Sequence, residues 1–323
     1  MFVTLADFDP WFVRAIALAF GLLWGSFLNV VIHRVPRGQS VVTPASHCPA
    51  CGKPIRPWDN IPLLSYALLG GKARCCKARL SPRYPLVEAI GGLLSLAILE
   101  AVVFRLPEGT TITRSLAVYT ADLALALGLV AAAFIDLEHM ILPDPITFGG
   151  AILGVATASY RFMSFTDALL GAAVGFGIVW LPFIVLYPKI RGGKVGMGLG
   201  DAKLLMLAGA WFGWGGALFV LGAGAIQGTV VALVTLLARG KIEEPEAVRE
   251  EREAIQRELE EMSPEEREEA EKELALDPLA DEPGEGIGQA RLAFGPFLVL
   301  ATLEVLLFGR DLLGVYFAWL ESA

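Results

Sequence analysis

Residues 115–144, SLAVYTADLALALGLVAAAFIDLEHMILPD, decide the fold class, because an apolar run long enough to cross a bilayer meets a polar segment there. A helix needs about 20 apolar residues to cross the roughly 30 Å hydrocarbon core. Asp136 lies where this run ends. An ionisable side chain at membrane depth costs roughly 2.5–3.5 kcal/mol on insertion scales, so we expect Asp136 to be functional.

Similar apolar runs recur along the chain, and hydrophobic residues make up 55% of its 323 positions. This pattern predicts an all-α polytopic membrane protein with about eight transmembrane helices. The predicted spans lie near 11–33, 85–104, 114–135, 145–161, 165–187, 202–214, 216–238 and 293–308. The amphipathic stretch 311–320 is too short to span and is predicted to lie in the membrane interface.

The distribution of basic residues predicts the orientation of these helices. The loop from Arg34 to Tyr84 holds nine basic residues and one acid, Asp59, which places it in the cytoplasm. Counting spans onward puts Asp136, Asp201 and the segment 239–292 on the same side. The predicted regions are a first transmembrane helix (1–33), a cytoplasmic cysteine loop (34–84), a transmembrane core with both aspartates (85–238), an acidic cytoplasmic insert (239–292), and a last transmembrane helix with an amphipathic tail (293–323).

The formal charge of the chain is dominated by the insert. Residues 242–285 contain nineteen acids and five bases, which gives a net charge of −14. Because the whole chain has a net charge of −8, the remainder has a net charge of +6. The spacing of charged and apolar residues predicts a helical hairpin here, and a solvated or partly disordered insert is the alternative.

A second candidate aspartate, Asp201, lies in GMGLGDAK at 196–203, again where a polar segment meets an apolar run. Two neighbouring carboxyl groups can divide the roles of general base and general acid, as an aspartic protease requires. The sequence therefore predicts a membrane-embedded aspartyl protease. A helix N-cap role for Asp201 and an interfacial role for Asp136 are the structural alternatives, and Asp144 is predicted to cap a helix.

All four cysteines lie in the cytoplasmic loop, as CPAC (Cys48, Cys51) and RCCKAR (Cys75, Cys76). Grouped thiols in a reducing compartment favour a metal over disulfides, and zinc is the natural ion for thiolate ligands. Adjacent cysteines rarely both reach one ion. We therefore expect Cys48, Cys51 and Cys76 to be ligands, with Cys75 or His47 as the fourth. The alternative is that the cysteines are free thiols in a small folded loop.

Ordered motifs nearly from end to end make the chain resemble the type IV prepilin leader peptidases, which are GxGD membrane aspartyl proteases. The motifs are GSFLNVVIHRVP (25–36), CPAC (48–51), DNIPLLSY (59–66), SPRYPLVE (81–88), IDLEHMILPD (135–144), GMGLGDAKLL (196–205) and FGPFL (294–298). The resemblance implies that Asp136 and Asp201 are catalytic. It also implies cleavage of a basic leader, typically after a glycine, from prepilins or type II secretion pseudopilins at the cytoplasmic face of the inner membrane.

Members of this family with the cysteine loop also methylate the new N-terminus with S-adenosylmethionine, which the resemblance implies here. The sequence shows no Rossmann-type glycine motif for that donor, so no residues are predicted to bind it. The chain departs from the family at Ala73, which aligns with the first cysteine of a second C-x2-C pair, and in its long acidic insert.

Two other functions are consistent with paired acids in a membrane. One is a preflagellin or signal-peptide-type GxGD protease without methyltransferase activity, against which the cysteine loop and GSFLN segment argue. The other is a proton-coupled transporter, which would be expected to show inverted repeats. The expected partners are prepilin or pseudopilin substrates and membrane lipids, with no nucleic acid.

Overall fold

Helices form all the regular structure in the described part of this computed structural model. The described residues are 3–190, 197–240, 245–263, 267, 270 and 292–322, without the side chains of 251, 261 and 312–322. The helices are α1 (Pro10–Arg34), α2 (Leu64–Leu68), α3 (Arg83–Ala101), α4 (Ile112–His139), α5 (Asp144–Thr157), α6 (Phe165–Val179), α7 (Tyr187–Ile190), α8 (Leu199–Arg239), α9 (Glu246–Glu261) and α10 (Gly295–Ser322). Within these ranges the only β-type pairing consists of isolated bridges.

Several helices have the length and composition of membrane spans, so the predicted all-α polytopic membrane fold is confirmed. Five segments of the described chain meet this criterion: Pro10–Arg37, Arg83–Arg105, Ile112–His139, Phe165–Ile190 and Leu199–Arg239. A π-helical turn, Trp180–Leu186, joins α6 to α7 within the fourth of these.

The long helix α8 consists of two helical segments. Gly213 has φ 72° and ψ −179°, which is outside the helical region, so that 199–212 and 214–239 are separate helices in direct succession. Only glycine adopts this backbone conformation without steric cost. The break at Gly213 lies one residue before the end of the predicted span 202–214, which precedes the predicted span 216–238.

Two predicted segments near the C-terminus have different outcomes. Residues 311–320 continue α10 as one helix, and their position in the membrane interface stays a prediction. In the acidic insert, α9 provides the first helix of the predicted hairpin. The predicted second helix, after Ser263, lies outside the described residues apart from isolated positions.

The chain divides into two compact units. The first comprises Met1–Ala131, Tyr160–Phe162 and Leu303–Ala323. In it α1 packs closely on α3 through glycines: a Cβ atom added to Gly91 would lie 2.8 Å from the Gly25 Cα atom. Small residues allow this close approach of helix backbones in a membrane.

The second unit comprises Ala132–Ser159 and Met163–Thr302, and α8 packs there against α5 and α6. The buried Trp211 side chain donates from Nε1 to the Gly150 carbonyl at 2.8 Å. A Cβ atom added to Gly154 would lie 2.6 Å from the same indole ring. These contacts fix the first half of α8, which carries Asp201, against α5.

Candidate active site and metal centre

Asp136 lies in the last turn of α4, close to the point where the helix stops. Its carbonyl accepts the N–H of Met140 at 2.9 Å, and Met140 has a positive φ of 53°. The Asp136 side chain is only 5% exposed. Its Oδ2 atom is buried without a hydrogen-bond partner, so this oxygen is available to a ligand or water.

Asp201 lies in the first turn of α8, with its side chain partly buried. Gly198 occupies the N-cap position, and the backbone N–H of Asp201 donates to the Gly198 carbonyl at 3.2 Å. Asp201 is therefore inside the helix, and the N-cap role considered for it is wrong. The described residues of GMGLGDAK begin at Met197, so Gly196 lies outside them.

The structure brings the two aspartates together in the second unit. The Asp136 carboxylate is near enough for its charge to act on Asp201. One aspartate comes from the end of α4 and the other from the start of α8. Because two facing carboxyl groups can act as base and acid, the pair has the composition of an aspartic protease site.

A third element, the start of α10, completes the surroundings of Asp136. A Cβ atom added to Gly295 would lie 2.6 Å from Asp136 Oδ2 and 3.1 Å from Leu142 Cδ2. A Cβ atom added to Gly200 would in turn lie 3.1 Å from Leu142 Cβ. The Leu142 side chain thus contacts both the Gly200 segment and the start of α10. Gly295 belongs to the motif FGPFL (294–298), but its sequence position alone indicates no role for it.

Asp144 opens α5, but its side chain does not cap that helix. Its Oδ1 atom accepts a charged hydrogen bond from Lys203 Nζ at 2.5 Å, and the ammonium lies 5.3 Å from the centre of the Phe148 ring. The predicted capping role is wrong. The ion pair instead connects the start of α5 with the turn of α8 that follows Asp201.

The first cysteine pair lies on a tight backbone turn in the first unit. The N–H of Cys48 donates to the Lys53 carbonyl at 2.8 Å, and the N–H of Gly52 donates to the Cys48 carbonyl at 2.8 Å. Gly52 has φ 68°, a conformation that favours glycine. The backbone N–H of Ala50 bonds to the Cys48 sulfur and contributes most to lowering the pKa of this thiol to about 7.

The second cysteine pair lies on a turn with the same hydrogen-bond pattern. The N–H of Ala73 donates to the Ala78 carbonyl at 2.8 Å, and that of Lys77 donates to the Ala73 carbonyl at 2.9 Å. Lys77, with φ 58°, takes the place of Gly52. Ala73 therefore occupies the position of Cys48, and Cys76 occupies that of Cys51. Cys75 supplies the thiol that Ala73 lacks.

All four sulfur atoms converge, within 4.8 Å of one another. The Cys48–Cys76 separation is 3.7 Å, Cys51–Cys75 is 3.4 Å and Cys75–Cys76 is 3.9 Å. A tetrahedral zinc ion with bonds of about 2.3 Å needs its sulfurs about 3.8 Å apart, so the cluster fits that ion. Of the two residues considered for the fourth position, Cys75 has its sulfur in the cluster. His47 lies outside this cluster.

Comparisons with known proteins agree with this arrangement. Residues 19–102 match the Bacterial Peptidase A24 N-terminal domain, and residues 123–233 match the Type IV leader peptidase family. A prepilin leader peptidase/N-methyltransferase from Pseudomonas aeruginosa is 37% identical over 243 residues, which cover 68% of this chain and 79% of the relative. The chain belongs to the type IV leader peptidase family.

Two further relatives support this membership. A prepilin leader peptidase/N-methyltransferase from Aeromonas hydrophila is 36% identical over 267 residues, covering 74% of this chain and 87% of the relative. One from Myxococcus xanthus is 43% identical over 226 residues, covering 68% of this chain and 62% of the relative. No solved structure matches the chain. The resemblance found in the sequence motifs is confirmed.

Proposed function

We propose that this protein is a multi-pass inner-membrane aspartic endopeptidase that removes leader peptides from prepilins or pseudopilins and then methylates the new N-terminus. The names of its relatives support both activities. The observation that carries the peptidase activity is that Asp136 and Asp201 lie within range of each other's charge, at two helix ends that both border Leu142. Membership of a peptidase family argues against the transporter alternative.

In the proposed cleavage step, one aspartate is ionised and takes a proton from the attacking water. The other is protonated and donates a hydrogen bond to the oxygen of the scissile carbonyl. The tetrahedral intermediate then collapses, and the leaving amine receives a proton from the acid. General acid–base catalysis of this kind contributes about 10²- to 10⁴-fold to the rate.

The membrane location explains how the substrate reaches this pair. We place both aspartates at the cytoplasmic face, because the basic loop 34–84 indicates that side. A basic leader would then remain near the anionic lipid surface, with the apolar pilin helix in the bilayer. The scissile bond between them would lie at the depth of the helix ends that carry Asp136 and Asp201.

We propose that Cys48, Cys51, Cys75 and Cys76 hold one zinc ion. The support is the sulfur geometry and the repeated turn described above. Four thiolates leave no open coordination position, so the ion would be structural. When bound, it would link the two turns and stabilise the cysteine loop.

Incubation of the purified protein with a prepilin peptide and S-adenosylmethionine tests the proposed function. Mass spectrometry of both products should show a free leader and a mature fragment heavier by one methylene group. Cleavage without the added mass would support the alternative of a peptidase lacking methyltransferase activity. Absence of cleavage would refute the proposal.

A further inference from the structure

A cavity of about 310 Å³ lies in the first unit, bounded by α1, the start of α3 and the cysteine loop. Its volume is at the lower end of the range of about 300–1,000 Å³ typical of small-molecule sites. The polar and aromatic side chains relevant here are Asn29, Asp59, Tyr66, Tyr84 and Glu88. The cavity is therefore a potential ligand site separate from the aspartate pair.

The residues that line the cavity belong to three motifs that have no role in the proposed peptide cleavage. GSFLNVVIHRVP (25–36) contributes Asn29, DNIPLLSY (59–66) contributes Asp59 and Tyr66, and SPRYPLVE (81–88) contributes Tyr84 and Glu88. These segments are far apart in the sequence. Their convergence on one cavity indicates a common function for the N-terminal unit.

Asn29, which lines this cavity, has an unused hydrogen-bond acceptor. The residue is 5% exposed, and its Nδ2 donates to the Tyr84 carbonyl at 3.1 Å. That bond fixes the orientation of the amide, because a flipped amide would set two acceptors against each other. Oδ1 is then buried without a partner. A buried acceptor without a donor is costly, so this atom points to a ligand with an N–H group.

Glu88 gives the cavity a negative charge. No basic residue in the described part of the chain lies within salt-bridge distance of it. Its Oε2 atom accepts the backbone N–H of Leu63 at 2.8 Å, which is its one hydrogen bond in the described structure. Asp59, by contrast, is paired with Arg74 at 2.8 Å. The Arg34 guanidinium, which also lines the cavity, donates to the carbonyls of Ser40 and Pro44. Glu88 therefore favours a cationic ligand.

The segment held by Glu88 is strained. Leu63 has φ 59° and ψ −46°, a positive-φ conformation outside the allowed regions for a leucine. Backbone strain of this kind persists where surrounding contacts hold it, and it is concentrated at ligand sites. The strained segment leads into α2, which brings Tyr66 to the cavity. Aromatic rings at such a site can stack on a planar base or contact a cation.

We propose that this cavity binds S-adenosylmethionine, with Asn29 Oδ1 accepting an N–H of the donor and Glu88 facing its positive sulfonium. The assignment rests on the proposed methyltransferase function and gives that function its binding site. In the transfer, the neutral N-terminal amine of the cleaved substrate attacks the methyl carbon. A C–N bond forms as the S–CH₃ bond breaks. The electron pair of the broken bond stays on sulfur, which gives the thioether S-adenosylhomocysteine, and the new ammonium releases a proton to water.

Calorimetric titration of the full-length protein with S-adenosylmethionine and with S-adenosylhomocysteine tests this assignment. Glu88→Gln keeps an oxygen for the Leu63 N–H but removes the charge. It should weaken binding of the sulfonium donor about tenfold, and weaken the uncharged thioether less. Asn29→Ala should weaken both about tenfold. Glu100→Gln is the matched control, because Glu100 lies on α3 outside the cavity and pairs with Arg14, and it should bind both as the wild type does.

Prepilin cleavage, measured on the same preparations, reports whether the variants are folded. Wild-type donor affinity in both Asn29→Ala and Glu88→Gln would overturn the cavity assignment while leaving the methyltransferase function in place. A wild-type protein that cleaves prepilin but neither binds the donor nor methylates would refute the methyltransferase function itself, and the cavity assignment with it. Equal weakening of the two ligands by Glu88→Gln would refute the role of Glu88 toward the sulfonium.

Discussion

Replacement of Gly295 by alanine should impair catalysis by displacing the Asp136 carboxylate. The new Cβ atom would lie 2.6 Å from Asp136 Oδ2 and 3.0 Å from Cγ, whereas ordinary van der Waals contact begins at 3.4 Å. The carboxylate must therefore retreat by about 0.8 Å. Oδ2 itself has no hydrogen-bond partner, but the backbone N–H of Gly295 bonds to the Asp136 carboxylate, so the retreat also weakens that bond.

The size of the effect follows from that displacement. A misplacement of about 1 Å in a catalytic group can cost about 10²-fold in rate, so we expect kcat for prepilin cleavage to fall about 10- to 100-fold. We expect KM to change little, because the proposed binding of the substrate's apolar helix and basic leader does not involve Gly295. Overpacking typically destabilises a protein by about 1–3 kcal/mol, so the variant should still fold.

Steady-state cleavage of a prepilin peptide, with thermal unfolding as a check on folding, measures this directly. Gly149→Ala is the matched control, because a Cβ atom there meets no heavy atom within 4 Å and the residue lies on α5 in the same unit. It should cleave at the wild-type rate. A wild-type kcat in Gly295→Ala, or an equal loss in Gly149→Ala, would refute the reasoning.

Two further predictions concern the cysteine loop and the acidic insert. Cys75→Ser should lower the zinc content, measured by elemental analysis, as much as Cys76→Ser does. The double variant Ala73→Cys/Cys75→Ala should retain about one zinc ion, because it moves the thiol to the position equivalent to Cys48. Full zinc content in Cys75→Ser would contradict this prediction. Replacing residues 243–285 with a short Gly/Ser linker should preserve cleavage, because loop closure changes by only about 0.6 kcal/mol per doubling of length. If the −14 charge of the insert attracts the basic leader, the replacement should weaken prepilin binding mainly at low salt. Loss of turnover at every ionic strength would instead show that the insert belongs to the catalytic fold.

The sequence alone predicted an all-α membrane protein and drew attention to the two aspartates, for a physical reason. Apolar runs of about 20 residues are easily recognised, and acids at their ends are unusual enough to indicate function. The prediction that Asp136 and Asp201 meet depended on counting spans to find that both lie on one side. Neither the periodicity nor the charge pattern could give the contact of Gly295 with Asp136, because that contact depends on how distant helices pack.

The wrong role for Asp144 and the open choice between Cys75 and His47 have a common origin. Sequence spacing assumes a local backbone geometry, whereas the actual geometry is set by nonlocal contacts or by an unusual turn. Cys75 and Cys76 reach one cluster because the turn ends in a left-handed Lys77. Asp144 has the sequence position of a helix-terminal acid, but Lys203 from another helix binds it. The cavity near Asn29 was likewise not visible in the sequence, because its lining comes from separate motifs.

The most direct test of the account is cleavage of a prepilin peptide by Asp136→Asn and Asp201→Asn, with Asp144→Asn as the matched control. An asparagine cannot ionise, so each of the first two variants should lose activity by at least about 10²-fold while remaining in the membrane. Asp144→Asn should retain most activity, because a partly exposed ion pair contributes only about 0–1 kcal/mol. Normal cleavage by Asp136→Asn or Asp201→Asn, with loss in Asp144→Asn, would contradict the assignment of the catalytic pair.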